Sequence, residues 1–117
     1  MPKTTISRTY RFESAHRLPL LPETHKCHHL HGHNYKMIVE VAGEIDERGF
    51  IIDFFDLDKV VDPLIKLVDH KILNEVKGLE NPTAENISLW FLEKISIAQS
   101  IKVFENDDCW AESRSAS

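Results

Sequence analysis

The segment CHHLHGHNYKMIVEVAG, residues 27–43, decides the fold, because a histidine cluster runs directly into an alternating stretch. From His33 to Gly43 the side chains alternate in polarity, which is the period of a β-strand. One face would carry Tyr35, Met37, Val39 and Val41, and the other Lys36, Ile38, Glu40 and Ala42. Because both faces hold apolar residues, we expect contacts on both sides of this strand.

A second alternating stretch precedes the first. Residues 3–13 predict a β-strand in which one face carries Ile6, Arg8, Tyr10 and Phe12. Pro19 and Pro22 interrupt the chain, so residues 17–30 are expected to form a loop, and loops on a rigid scaffold commonly carry function. Residues 43–49 predict a polar turn, and residues 50–52 a short extended segment.

Two helices are predicted in the second half of the chain. Asp53 can cap a helix over residues 54–68, in which Pro63 predicts a kink or two abutting segments. Thr83 is expected to cap a second helix, and strands over residues 100–105 and 109–113 follow. The order β-β-α-α-β-β predicts an α+β fold, an antiparallel sheet with helices grouped on one side. Oligomerisation is one way to cover the open edges of such a sheet.

Length and composition limit the class of protein. The 117 residues are enough for a single domain spanning 1–117, and 42% of them are hydrophobic. No apolar run approaches the ~20 residues that cross a bilayer, and the first five residues lack the apolar core of a signal peptide. A net charge of −5 argues against a nucleic-acid surface. We therefore expect a cytoplasmic protein with no membrane partner and with two free thiols, Cys27 and Cys109.

Histidines concentrate before residue 34 and predict a metal site. Alternation places His31 and His33 on one face of a strand, and His16 lies upstream. Three neutral imidazoles with an open fourth position are typical of catalytic zinc. Cys27 could instead close a structural site as fourth ligand, be an inert thiol, or act as a thiolate base. A histidine-rich surface loop is the alternative interpretation, and it suits the other loop imidazoles best: His25, His28 and His29.

Acidic residues supply further candidates. Asp69 and His70 could form an acid–base pair, although a histidine at a helix C-terminus is common for electrostatic reasons. Glu105 alternates with apolar residues, so its carboxylate needs a partner. That partner could be the donor edge of a pterin or guanine ring, or an internal Arg or Lys. Thr83 and Glu85 are explained by their place at a helix N-terminus.

Together these pieces resemble the 6-pyruvoyl-tetrahydropterin synthase family, and within it the bacterial 6-carboxy-5,6,7,8-tetrahydropterin synthase branch. The resemblance extends along nearly the whole chain, and only residues 107–117 match loosely. A spacing of three residues between Cys27 and His31 is similar to that branch. The matching motifs are FESAH (12–16), CxxxHGHN (27–34), GFIIDF (49–54), LVDH (67–70), LENPTAEN (79–86) and VFE (103–105).

The resemblance implies a tunnelling fold, in which a four-stranded antiparallel sheet carries two helices on one face. It further implies that three subunits close a 12-stranded β-barrel and that two such rings form a homohexamer, a dimer of trimers with active sites between subunits. The implied site residues are the zinc ligands His16, His31 and His33, the proton acceptor Cys27 with Asp69 and His70 as a triad, the pterin anchor Glu105, and the neighbouring-subunit contacts Thr83 and Glu85. Triphosphate contacts from Lys26, His28 and His29 are a separate hypothesis, based on the basic character of these loop residues and not on the family pattern.

The implied reaction uses one Zn2+ per subunit and the substrate 7,8-dihydroneopterin triphosphate. The product would be 6-carboxy-5,6,7,8-tetrahydropterin, with release of acetaldehyde and triphosphate, on the way to 7-deazaguanine compounds such as queuosine. No external hydride carrier is needed, and no Gly-rich nucleotide motif is present in the sequence. The alternatives are a 6-pyruvoyl product, in which the side chain is retained, and a non-catalytic zinc- or pterin-binding module.

Overall fold

The computed structural model describes residues 2–116. Four strands form one antiparallel sheet in the order β1-β2-β3-β4. The strands and the two helices follow the predicted order β-β-α-α-β-β along the chain. Their bounds are β1 Thr4–His16, β2 His31–Gly43, α1 Phe54–Val68, α2 Ala84–Lys94, β3 Ser100–Asn106 and β4 Cys109–Arg114.

The core lies between one face of the sheet and the two helices. Alternate residues of the strands turn inward, and the apolar stripes of α1 and α2 cover them. Phe12 and Tyr35 stack at the centre of this layer, with ring centroids 4.8 Å apart. The side chains with no exposed surface in this core include Met37, Val39, Leu57, Val61, Ile87, Phe91, Ile101 and Val103. No helix within residues 2–116 is long and apolar enough to cross a membrane.

Local predictions hold at the helix starts, whereas the segment before α1 and one of the two outcomes expected at Pro63 differ from the structure. Asp53 and Thr83 cap α1 and α2 as expected, each accepting a backbone N–H. Residues 50–52 form a bend instead of an extended segment. Helix α1 runs through Pro63 without dividing into two segments. Pro63 and Lys59 both lie on the exposed side, so water can hydrate the Lys59 carbonyl that proline leaves without a donor.

The first two strands are longer than predicted at their shared end. Strand β1 continues to His16 and β2 begins at His31, and these two residues are cross-strand partners. Loop residues 17–30 contain a 3₁₀ turn, Lys26–His28, that the sequence pattern did not indicate. The extra pairs put all three candidate metal ligands on regular strands.

A polar contact joins α1 to β1. Arg8 donates two hydrogen bonds to the Asp58 carboxylate, at 3.1 and 2.9 Å, and the Tyr10 hydroxyl donates a third at 2.6 Å. The Tyr10 hydrogen bond, followed by that of Arg8, lowers the pKa of Asp58. Because the folded state favours the charged carboxylate, this contact stabilises the protein above the ordinary pKa of Asp and is lost as the pH falls through the lower folded-state value.

Substitution Tyr10→Phe tests this contact. We expect the free energy of unfolding to fall by about 1.5 kcal/mol, because the variant loses a hydrogen bond to a charged group. Urea unfolding at neutral pH measures the change. In an Asp58→Asn background, Tyr10→Phe should lower the free energy of unfolding by less than half as much. An equal decrease in the two backgrounds would contradict the assigned contact.

Candidate metal centre and active site

The β1–β2 hairpin brings three imidazoles together. Its register pairs His16 with His31 and Ser14 with His33, so the rings share the inner face of the sheet. Ring centroids lie 4.6 Å apart for His16 and His31, and 5.0 Å apart for each of the other two pairs. One ligand nitrogen of each histidine lies within 4.8 Å of the others, as a shared metal ion requires.

Two backbone carbonyls fix the tautomers in this cluster. His16 Nδ1 lies 2.7 Å from the Pro82 carbonyl oxygen, and His31 Nδ1 lies 2.7 Å from the His29 carbonyl oxygen. A carbonyl can only accept, so each Nδ1 carries the proton and donates it. Each Nε2 is then left with a lone pair, and a carbonyl behind a metal-binding imidazole is the usual arrangement in proteins.

The two Nε2 atoms face one another across 3.0 Å. Two lone pairs at this distance repel unless a cation lies beside them. In a tetrahedral zinc site the ligand nitrogens are ~3.3 Å apart, which follows from Zn–N bonds of about 2.0–2.1 Å. The spacing of these donors therefore fits a divalent metal ion such as zinc.

Burial favours the neutral, ligating form of His16 and His33. His16 has no exposed surface, and desolvation is the largest cause that lowers its pKa, to about 4. The Pro82 hydrogen bond opposes this shift, while His31 and His33 add to it. Desolvation is also the main cause that lowers the pKa of His33. His16 therefore offers a lone pair at neutral pH without first losing a proton.

Glu105 lies beside the imidazoles. One carboxylate oxygen is 3.8 Å from His16 Nε2, but the neutral state of His16 means that the two do not form an ion pair. Within residues 2–116, no lysine or arginine pairs with Glu105. The structure therefore does not support an internal Arg or Lys as the partner of Glu105, and its carboxylate remains available to an external donor.

A small cavity of about 320 Å³ extends from Glu105 to the start of α2. Glu85, Cys109 and Trp110 line it together with Glu105. Three acidic side chains of one chain, Glu85, Glu105 and Asp108, thus line the same cavity. That Glu85 contacts come from a neighbouring subunit stays a prediction. Thr83 has a structural role here, because its hydroxyl accepts the Asn86 backbone N–H at 3.0 Å.

Asp69 and His70 form a hydrogen-bonded pair directly after α1. His70 Nδ1 lies 3.0 Å from an Asp69 carboxylate oxygen. The same oxygen accepts the Glu13 backbone N–H at 2.9 Å, and this bond is the largest cause that lowers the pKa of Asp69. His70 adopts a left-handed backbone, with φ of 57°, which turns the chain sharply after the helix. The lowered pKa favours the charged Asp69 carboxylate, and the contact with Nδ1 orients the His70 ring.

A short segment, residues 68–72, holds this pair against β1, and we call it the strap. The Val68 carbonyl accepts the Ser14 hydroxyl, the Glu13 carbonyl accepts the His70 N–H at 2.6 Å, and the Lys71 carbonyl accepts the Ala15 N–H at 3.0 Å. A parallel bridge joins Ile72 to Ala15. A groove of about 550 Å³ is lined by both His33 and His70.

Cys27 stands apart from the other candidates. It lies half-buried in the 3₁₀ turn Lys26–His28 and is not among the converging metal donors found in residues 2–116. The described part of the chain also contains no hydrogen bond from Cys27 to Asp69 or His70. The set of three imidazoles therefore favours an open metal site over one closed by Cys27, and the triad remains a prediction.

Two of the three loop imidazoles, those of His28 and His29, bind backbone carbonyls. His28 Nδ1 lies 2.9 Å from the Leu21 carbonyl oxygen, and His29 Nε2 lies 3.1 Å from that of Glu23. Sequence reasoning missed Tyr35, whose hydroxyl is 3.1 Å from His16 Nδ1. Its place two residues after His33 on the same strand face was a usable signal. Nothing in the residue types pointed to the carbonyls behind His16 and His31.

Removal of one ligand tests the metal assignment. We expect His16→Ala to lose stoichiometric zinc, because two imidazoles remain where three converge, and Cys27→Ala to retain it. Elemental analysis of purified, refolded protein after zinc loading measures both. Zinc loss from Cys27→Ala would instead indicate a closed structural site, and full zinc in His16→Ala would remove the three-histidine assignment.

Comparison with known proteins agrees with this geometry. A family model described as 6-pyruvoyl tetrahydropterin synthase matches residues 5–116. The chain is 38% identical to a 6-carboxy-5,6,7,8-tetrahydropterin synthase of Synechocystis, over 86% of this chain and 84% of the relative. It is 42% identical to a dihydroneopterin monophosphate aldolase of Pyrococcus furiosus, over 80% and 75% of the two chains.

A solved structure shares the whole fold. The 6-pyruvoyl tetrahydropterin synthase of Caenorhabditis elegans superposes with a TM-score of 0.90 at 27% identity, covering 99% of this chain and 98% of the other. The four-stranded sheet and the two helices are thus those of the tunnelling fold. Family match, identity and shared architecture agree, and the chain belongs to the 6-pyruvoyl tetrahydropterin synthase family.

Proposed function

We propose that this protein is a zinc-dependent enzyme that converts 7,8-dihydroneopterin triphosphate and one water molecule to 6-carboxy-5,6,7,8-tetrahydropterin, with release of acetaldehyde and triphosphate. The observation that carries the proposal is the pair of facing Nε2 atoms, 3.0 Å apart, with the Glu105 carboxylate beside them. Metal donors and a pterin anchor then lie at one place. The Synechocystis relative, whose name is that of the carboxy synthase, supports the choice of product.

The residues of this chain would divide the work as follows. Glu105 accepts hydrogen bonds from the N–H edge of the pterin ring, which places the side chain of the substrate toward His16, His31 and His33. A zinc ion held by these three would act as a Lewis acid that acidifies the adjacent C–H groups of the substrate. Glu85 faces the same cavity and can bind further ring donors.

Proton transfer is assigned to Cys27 and His70. The Cys27 thiolate would take a proton from the substrate side chain, and His70, oriented by Asp69, would return one. Within residues 2–116 these groups make no hydrogen bond to one another. We propose that the active sites are shared between subunits, with Cys27 of one subunit meeting His70 of the next, in a cytoplasmic homohexamer in which three sheets close a barrel.

The route would serve 7-deazaguanine synthesis, as in queuosine. Two relatives define the alternatives. One is a 6-pyruvoyl product, which keeps the side chain and is the activity that names the C. elegans neighbour. The other is aldol cleavage of dihydroneopterin monophosphate, favoured by the 42% identity to the Pyrococcus enzyme. A zinc- or pterin-binding module without turnover is the non-enzymatic alternative.

Incubation of the zinc-loaded protein with 7,8-dihydroneopterin triphosphate tests the proposal. We expect mass spectrometry to find the 6-carboxy product with acetaldehyde, and Cys27→Ala to lower kcat by ~10²–10⁴-fold with zinc retained, because a general base is lost. A 6-pyruvoyl product, or cleavage of the monophosphate in a parallel reaction, would replace the assigned activity. No turnover on either substrate by folded, zinc-loaded protein would support the binding module.

Substitution Glu105→Gln tests the pterin anchor. The amide presents a donor where the ring also donates, so we expect KM to rise at least ~10-fold while zinc content stays unchanged. Steady-state kinetics measure the effect, with Glu93→Gln as the matched control, since Glu93 is exposed on α2. Equal KM values for the two variants would remove Glu105 from the pterin site.

A further inference from the structure

His25 contacts the backbone of Cys27. It precedes the 3₁₀ turn Lys26–His28 with an extended backbone, φ −80° and ψ 133°, and its imidazole Nδ1 accepts the Cys27 N–H at 3.0 Å. This is the position of an N-cap, which Ser, Thr, Asp or Asn commonly occupies. An acceptor at Nδ1 must hold a lone pair, so His25 carries its proton on Nε2 in this arrangement.

The backbone of His25 is itself fixed in the loop. Its N–H donates to the Pro22 carbonyl at 2.8 Å, and its carbonyl accepts the His28 N–H at 3.0 Å. The Cys27 carbonyl accepts the Leu18 N–H at 2.8 Å. Both backbone polar groups of Cys27 are therefore bonded, and the imidazole of His25 supplies the partner of the N–H.

The neighbouring imidazoles do not share this contact. The imidazoles of His28 and His29 lie against the carbonyls of Leu21 and Glu23, which belong to the same loop. Their hydrogen-bond partners are these carbonyls and not Cys27. Among the three loop histidines, His25 alone binds the cysteine that the proposed function makes the proton acceptor. Its contact is with a turn of only three residues, which has no helical propensity of its own to keep Cys27 in place.

We propose that His25 is a positioning residue that holds Cys27 in its reactive place through the Nδ1 to N–H hydrogen bond. The inference rests on the proposed role of Cys27. Loss of an N-cap shifts the equilibrium between the ordered and the disordered turn about fivefold toward the disordered form. Loosening of this turn displaces the thiol relative to the substrate, and a displacement of ~1 Å can cost up to ~100-fold in rate.

Hydrogen exchange of the unmodified, zinc-loaded protein is the first test, because it needs neither a variant nor a substrate. We expect the Cys27 amide to exchange at least ~5-fold more slowly than in an unstructured peptide. Exchange at the unstructured rate would show that the His25 contact does not persist, and would overturn the proposal.

Variants of His25 test the consequence for Cys27. We expect His25→Ala to lower kcat at least ~10-fold with KM within ~3-fold, and to raise the alkylation rate of Cys27 about fivefold. Peptide mass spectrometry separates Cys27 from Cys109, which is the internal reference. His25→Asn, whose side-chain oxygen can accept the same N–H, should restore most of both values. Equal defects in the two variants, or none in His25→Ala, would overturn the proposal.

A matched control separates this contact from general loosening of the loop. His28→Ala also removes one imidazole anchor of the same loop, and Cys27 alkylation should stay within ~2-fold of the unmodified protein because the Cys27 cap is intact. An equal rise in His28→Ala would assign the effect to the loop as a whole. If the unmodified protein shows no turnover, the proposed function fails, while amide exchange and alkylation still decide the positioning role.

Discussion

The antiparallel register of β1 and β2 is the constraint on which the site depends. It sets His16 opposite His31 and Ser14 opposite His33. A shift of the register by one residue would send these imidazoles to the other face of the sheet, away from the core. The same ladder aligns Phe12 with Tyr35 at the centre of the core. Packing of the core and assembly of the metal donors are therefore two results of one pairing.

The end of β1 also organises the groups around the metal cluster. Its inner face presents His16, and its outer edge binds the strap that carries Asp69 and His70. Glu105 lies on β3, which pairs with the edge of β2 that faces away from β1. Helix α2 contributes less through its body than through the residue before its cap, because the Pro82 carbonyl fixes the His16 tautomer. Each element thus supplies one group at a defined place.

Sequence patterns predicted the element order, both helix caps and the three histidines. The strands were predicted too short because alternation of apolar residues ends near Phe12, whereas backbone pairing continues to His16. The carbonyl partners of His16 and His31 have no signature, since every residue offers a carbonyl. The division into two segments that was one of the outcomes expected at Pro63 did not occur, because solvent reaches that side of α1. The proposed meeting of Cys27 with His70 involves a second subunit, and a single sequence does not describe contacts between subunits.

The strap has a consequence for the free edge of β1. It occupies the outward-facing backbone groups of Glu13 and Ala15, and by alternation those of Thr5, Ser7, Thr9 and Arg11 stay open. A strand from another molecule that pairs with this edge can therefore extend toward His16 only as far as His70, where the strap begins to occupy the edge. The segment that carries Asp69 and His70 therefore also limits the registers in which another strand can extend this sheet.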